Sequence, residues 1–327
     1  MFSKENAALF PLLCFLTEIV FFRFQVRKTG QKAMLYATYI LLLFLPAVAI
    51  IINTVINPDW ILRGYEFRDF SLTERVFTEA RVLIFYLTQL ILPTNSELGL
   101  FHDDIVTSGS MLSPLSTLFS ILSIVMLLVS AMYFRLKFPV YSFSVLFFFG
   151  AHIIESTVIA LELVHEHRNY LASFSVIFFF SYLLILPCRN STAHKVKFIS
   201  VFVIVFFLAF TTFIRASVWG NANRHAFEEL RNHPHSPRTN YQVGRIFATS
   251  AAEVKDDERK LTFINKAAHY FSESARYSDS YTDGLFGLMM LHGIEGHEMR
   301  VEDKQLLIHR LKSGPFHANN YNYISAI

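Results

Sequence analysis

Phe198-Ile-Ser-Val-Phe-Val-Ile-Val-Phe-Phe-Leu-Ala-Phe-Thr-Thr-Phe-Ile214 decides the fold. It is seventeen residues without a charge, set between Lys195 and Lys197 before it and Arg215 after it. A bilayer core takes roughly 20 apolar residues per helix, so this stretch reads as a membrane span with basic flanks. Working toward the N-terminus, five more stretches read the same way. They run from about Asn6 to Phe22, Ala33 to Asn53, Pro114 to Tyr133, Phe138 to Leu161 and Leu171 to Pro187. Working toward the C-terminus, no further span appears, and composition shifts once, near Arg215. The reading is therefore an all-α chain: residues 1–215 as a transmembrane helix bundle of about six spans, and residues 216–327 as a small soluble helical domain.

A seventh apolar stretch, Leu72 to Leu92, differs from the six. Glu74, Arg75, Glu79 and Arg81 crowd its first half and Pro93 follows it. It reads as an amphipathic helix lying in, or re-entering, the membrane interface; a true span is the alternative.

Overall composition agrees with a membrane protein. Of 327 residues, 53% are hydrophobic and 17% charged, against roughly 45–50% and about 25% in ordinary globular chains. A net charge of +3 is too small to point to nucleic acid. Cys14 and Cys188 lie in or beside apolar runs, where a structural role is expected. The apolar stretch at Asn6 follows Lys4 and Glu5 and precedes no small-residue cleavage site, so it does not read as a secretory signal.

Basic loops face the cytoplasm. Arg23, Arg27, Lys28 and Lys32 follow the first span, Arg135 and Lys137 lie between the third and fourth, and Arg189, Lys195 and Lys197 follow the fifth. All fall on one side if six helices cross and Leu72 to Leu92 does not. Residues 54–113, the His165 to Tyr170 link and the C-terminal domain then lie outside, on the periplasmic side of a bacterial inner membrane. Met1 would also lie outside after only five residues, which leads to the expectation that an N-terminal part is missing.

Two outer segments concentrate polar groups. One carries His102, Asp103 and Asp104; the other carries Glu162, His165, Glu166, His167, Arg168, Asn169 and Tyr170. Adjacent carboxylates could hold a divalent metal through oxygen ligands, the one cofactor these residues suit, or one could serve as a general base. Asp103, Asp104 and Glu166 are the candidate catalytic residues. Arg168, with His102, His165, His167, Asn169 and Tyr170, is the candidate phosphate-binding set, because a guanidinium matches phosphate oxygens bidentately. His152, Glu155 and Glu162 are expected to share one face of the fourth span, where charge is costly and usually faces a bundle interior. The competing readings are a turn or cap for Asp103-Asp104 and an interfacial loop with snorkelling side chains for the histidine-rich link.

In residues 216–327, 13 acidic side chains balance 13 basic ones, which argues against a polybasic patch. Asn232 to Asn240 is rich in turn residues. Tyr241 to Glu253, Glu258 to Tyr277 and Tyr281 to Leu291 then read as helices. The small residues Ala267 and Ala275, with aromatics between them, resemble a tetratricopeptide unit over about one and a half repeats; an ordinary helical hairpin is the alternative. His292, His297 and His309 read as solvated surface.

Three blocks carry a family likeness: Ser3-Lys4-Glu5-Asn6, Leu98-Gly-Leu-Phe-His-Asp-Asp104 and Glu166-His-Arg-Asn-Tyr-Leu171. They resemble blocks of large bacterial membrane proteins with C-terminal tetratricopeptide repeats, themselves similar to the O-mannosyltransferases of the C-type glycosyltransferase superfamily. The resemblance implies an enzyme that takes sugar from a polyprenyl-phosphate carrier, with an acceptor protein presented outside the cytoplasm and held partly by the repeats. Relatives of that kind place an acidic residue in the first outer loop, which this chain lacks. It implies either a shortened chain or a catalytic acid supplied by Asp103 or Asp104. Besides the lipid-linked sugar and the acceptor, membrane lipids are the expected partners. A non-catalytic, membrane-anchored interaction module is the alternative function. A transporter is disfavoured, since no internal repeat of the spans and no pair of Gly/Pro-broken helices is visible.

Overall fold

The computed structural model describes residues 5–187, 190–292, 299–315 and 318–325; Met1, Ser3, Lys4, Cys188, Arg189 and His297 lie outside them, as does the side chain of His292. It is helical throughout, with no strand among the described residues beyond an isolated bridge between Ser110 and Ser113. The chain divides into two compact units. One takes the chain up to Tyr65, Phe70–Pro93 and Thr107–Phe207; the other takes Glu66–Asp69, Thr94–Val106 and the chain from Leu208 onward.

In the first unit the helices are α1 (Asn6–Phe22), α2 (Gly30–Ile56), α3 (Leu72–Ile91), α4 (Ser116–Phe134), α5 (Pro139–Ala151) and α6 (Asn169–Ile185, reached through a 3-10 turn at Glu166–Arg168). α7 (Ser191–Trp219) begins in this unit and ends in the other. Among the described residues, four helical stretches are long and apolar enough to cross a membrane: α2, α4, Glu166–Ile185 and α7. α1 and α5 are apolar but shorter. α7, the stretch from which the reading began, has no buried residue, as a helix surrounded by lipid would have.

The fourth expected span is corrected. Hydropathy runs on from Phe138 to Leu161, yet α5 stops at Ala151, and residues 152–158 form turns. His152, Glu155 and Glu162 therefore do not share a helical face. Two causes act together. Ile153, Ile154, Thr157, Val158 and Ile159 are β-branched and weak helix formers. In addition, the carbonyls of this segment find a partner outside the chain's own helix: the Arg75 guanidinium, on α3, donates to the carbonyls of Glu155 (2.7 Å), Thr157 (3.0 Å), Leu161 (2.5 Å) and Glu162 (3.4 Å). With those acceptors satisfied, the backbone loses little by leaving the helix.

α3 starts at a capping box. The Ser71 hydroxyl accepts from the Glu74 amide, and the Glu74 carboxylate accepts from the Ser71 amide. Its buried stripe is Arg75, Thr78, Glu79, Val82, Tyr86 and Gln89, spaced at helical periods. The helix is amphipathic in an unusual sense, because the charges Arg75 and Glu79 point into the unit.

In the second unit, α8 (Ala222–Asn232), α9 (Pro237–Glu253), α10 (Asp257–Arg276), α11 (Asp283–His292), α12 (Val301–Ser313) and α13 (Ala318–Ser325) follow one another. α9 and α10 form an antiparallel hairpin. Ser236 caps α9 by accepting from the Thr239 amide, with Pro237 at the first helical position; Asp256 caps α10 through the Arg259 amide. The core holds Tyr241, Ala267, Phe271, Ala275, Leu285, Phe286, Leu288 and Leu291. Phe271 sits between Gly244 and Gly287, where an added Cβ would come within 2.6 Å of the ring on either side. These two glycines are needed for close helix approach.

Candidate functional site

The first unit contains a buried polar cluster around Arg75 and Glu79. Their ion pair spans 2.8 Å with both side chains out of solvent. Tyr86, two turns on from Glu79, stacks its ring on His152 at 5.5 Å and exchanges hydrogen bonds with the backbone of His165: its hydroxyl accepts from the His165 amide (2.7 Å) and donates to the carbonyl (3.1 Å). Asn169 Nδ2 donates to the Tyr86 carbonyl (3.1 Å). Arg168 donates to the Glu162 carbonyl (2.5 Å), and its Nε lies 4.0 Å from Glu155 Oε2. Asn6 Nδ2 donates to Glu155 Oε1 (2.8 Å). The arrangement thus gathers α1, α3, the 152–168 segment and the start of α6.

Burial pushes the Glu79 carboxyl, which lies outside the four candidate spans, up to about 7, against the opposing pull of Arg75 and Arg168. Glu155, with Oε2 4.0 Å from Arg168 Nε, is a second buried carboxylate beside the two guanidinium groups.

The sequence-derived residues distribute unevenly about this cluster. Arg168, Asn169, His152 and Glu155 are buried within it. Glu162 contributes its carbonyl. His165 contributes its backbone, while its ring Nδ1 lies 2.8 Å from that of the exposed His167. Tyr170 is 85% exposed and does not join. Glu166 is half-buried at the start of the 3-10 turn. Sequence reasoning missed Arg75, Glu79, Tyr86, Ser156 and Asn6. A usable signal existed for the first three: charges four apart on the same helical stripe as Val82 and Tyr86, leaving no separate apolar face.

Asp103 and Asp104 lie in the second unit, on a segment secured to the α8–α9 turn. Ser236 Oγ donates to Asp103 Oδ1, and the Arg238 amide donates to Asp103 Oδ2 (3.3 Å). His233 Nδ1 lies 3.0 Å from Asp104 Oδ2, with the buried His102 ring at 5.0 Å from the His233 ring. The Leu100 amide donates to Glu229 (2.6 Å). Burial raises the Asp103 carboxyl above its ordinary range despite the Ser236 hydrogen bond. For Asp104, burial acts upward, but the hydrogen bond and charge of His233 outweigh it and the carboxyl is lowered. The same hydrogen bond raises His233. Among the described residues, no group of three or more His, Cys, Asp and Glu side chains is placed to hold a metal ion.

The His233–Asp104 pair makes a pH-dependent latch. A raised histidine stabilises the fold below its unfolded value and loses that contribution as pH rises through its folded value. A lowered carboxylate contributes above its unfolded value and loses this as pH falls through its folded one. The latch is therefore strongest between about pH 4 and about pH 6.5 and weakens on the alkaline side. Hydrogen-exchange protection of residues 94–106 is expected to fall severalfold between about pH 5.5 and about pH 8.5, and His233→Gln is expected to abolish that difference. Protection that is the same at both pH values would exclude the latch.

A comparison of the chain with family models, curated proteins and solved structures finds no match.

Proposed function

We propose that this protein is a glycosyltransferase-like membrane protein that takes sugar from a polyprenyl-phosphate carrier and transfers it to an acceptor, most simply a protein, outside the cytoplasm. The observation that carries the reading is a buried guanidinium, Arg168, in a polar cluster of the unit that bears candidate spans. A buried guanidinium needs an anion beside it, and its planar fork suits a phosphate. The resemblance of the Leu98 to Asp104 and Glu166 to Leu171 blocks to O-mannosyltransferases of the C-type superfamily supplies the reaction class, and the α9–α11 helices would be the tetratricopeptide-like part that holds the acceptor. In the reaction, the bond from the sugar's anomeric carbon to the phosphate oxygen breaks, the bond to the acceptor oxygen forms, and the acceptor's proton passes to a carboxylate. Glu166, in the same unit as Arg168, is the candidate for that base, and Arg168 neutralises the departing phosphate.

The test is transfer from labelled polyprenyl-phosphate sugar to a membrane-impermeant acceptor in spheroplasts of a bacterial host. Transfer is expected in spheroplasts, to be absent from sealed inverted vesicles, and to fall by about a hundredfold in Glu166→Gln. Unchanged transfer in that variant would remove Glu166 from the mechanism. Absence of transfer in every preparation would favour a non-catalytic, membrane-anchored interaction module. The hydrogen bonds that occupy Asp103 and Asp104 at Ser236, Arg238 and His233 favour that second reading, because they give both carboxylates a structural task.

A further inference from the structure

Arg23 and Phe24, which lead from α1 toward α2, both take left-handed backbone, with φ of 55° and 56°. That conformation is costly for a residue with a β-carbon. Two contacts from Glu18 hold it. The Arg23 amide donates to the Glu18 carbonyl (2.6 Å), and the Phe24 amide donates to its carboxylate Oε1 (2.8 Å). The Phe24 ring turns inward. It stacks on Tyr36 of α2 at 4.9 Å and meets the rings of Phe15 and Tyr39 edge-on, each at 6.1 Å. With Phe24 anchored, the rest of the turn faces outward: Arg23, Gln25, Val26, Arg27 and Lys28 are exposed.

The charge of this turn is one-sided. Arg23, Arg27, Lys28 and Lys32 bring four cations into ten residues, and no acid follows Glu18 until Asp59. Among the described residues no carboxylate pairs with Arg23, Arg27 or Lys28. Glu18 is engaged with the Phe24 amide, and the Lys32 ammonium lies 5.9 Å from the Tyr36 ring. Exposed cations are ordinarily well solvated, so charge alone names no ligand. Their setting does. Phe22 at the end of α1, Val26 in the turn, and Met34 and Tyr36 in the first turns of α2 are exposed, and α2 is a candidate span. The turn thus sets cations at the ends of two apolar helices, beside exposed apolar side chains. A phospholipid is complementary to both, since its phosphate lies above its acyl chains. A free phosphate ion would meet the cations and leave the apolar groups in water.

We propose that the turn from Arg23 to Lys32 is a binding surface for anionic phospholipids, with its cations on the headgroup phosphates and Phe22, Val26 and Met34 among the upper acyl chains. The left-handed backbone lets Phe24 fix the turn to α2 while the guanidinium and ammonium groups stay outside. The assignment is independent of sugar transfer: it needs α2 to cross the bilayer, not a carrier or an acceptor.

The test is the association of spin-labelled phosphatidylglycerol and spin-labelled phosphatidylcholine with the full chain in phosphatidylcholine vesicles. One basic side chain at a membrane surface is worth about a fivefold factor, so the wild type is expected to prefer phosphatidylglycerol by at least about fivefold. The Arg23→Gln, Arg27→Gln, Lys28→Gln triple variant is expected to lose most of that preference. An Arg135→Gln, Lys137→Gln variant, which removes the basic residues between α4 and α5, is expected to keep it. The five substituted side chains are exposed or half-buried, so the fold is not at stake. Raised salt is expected to lower the preference, whereas inorganic phosphate at constant ionic strength is expected not to displace the labelled lipid. Four results would each overturn the proposal: equal association of the two lipids with the wild type, a preference unchanged in the triple variant, a preference lost as fully in the Arg135, Lys137 variant, or displacement by inorganic phosphate. None of them bears on carrier binding at Arg168.

Discussion

Arg75→Ala is expected to destabilise the protein by about 3–5 kcal/mol, the range seen when one partner of a buried ion pair is removed. Two losses combine. Glu79, 1% exposed, is left without its counter-charge. The carbonyls of Glu155, Thr157, Leu161 and Glu162 lose a donor in a segment that does not continue the helix. Arg75→Lys is expected to recover only part of the loss, because one ammonium cannot reach four carbonyls and a carboxylate in the geometry of a planar fork. Adding Glu79→Gln to Arg75→Ala is expected to restore stability partly by removing the stranded charge. Thermal unfolding in detergent reads the effect, expected as a fall on the order of 10 °C. The exposed Arg276–Glu273 pair on α10 supplies the contrast: Arg276→Ala is expected to leave the melting temperature unchanged. A melting temperature for Arg75→Ala equal to the wild type would refute the account of why α5 ends where it does.

Hydropathy made much of the fold readable. Apolar runs lie on α1, α2, α4, α6 and α7 to within a few residues, and the expected helices at Tyr241, Glu258 and Tyr281 correspond to α9, α10 and α11. The end of α5 was not readable, for a physical reason. Ile153, Ile154, Val158 and Ile159 keep the window apolar, while the group that stabilises the non-helical backbone, Arg75, lies about eighty residues earlier. A local pattern cannot report a donor so distant. The candidate site divides in the same way. Arg168, Asn169, His152 and Glu155 stand out locally because they are polar among apolar neighbours. Glu79 and Tyr86 become legible only when α3 is seen to turn its charged stripe inward. For Asp103 and Asp104, composition marked the residues but not their partners, because Ser236 and His233 sit in a stretch whose sequence announces only a turn.

The proposed chemistry depends on Arg168 accepting the carrier's phosphate. Arg168 is buried; it donates to the Glu162 carbonyl (2.5 Å), and its Nε lies 4.0 Å from Glu155 Oε2. The Glu79 carboxyl, pushed up to about 7 by burial, is only partly ionised near neutrality. A charge-assisted, bidentate contact to phosphate is among the stronger single interactions a side chain makes. Arg168→Ala is thus expected to weaken carrier binding by about thirtyfold to a hundredfold, and Arg168→Lys, which keeps charge but loses the fork, by less. Because Arg168 also holds the Glu162 carbonyl, the melting temperature of each variant must be read alongside affinity, so that loss of binding is separated from loss of fold. The most direct measurement is the affinity of labelled polyprenyl phosphate for the wild-type chain and Arg168→Ala, side by side in nanodiscs. Saturable binding to the wild type with a large loss in a still-folded Arg168→Ala is the expected result. Binding no greater than to empty nanodiscs, or equal affinity in the two proteins, would contradict it.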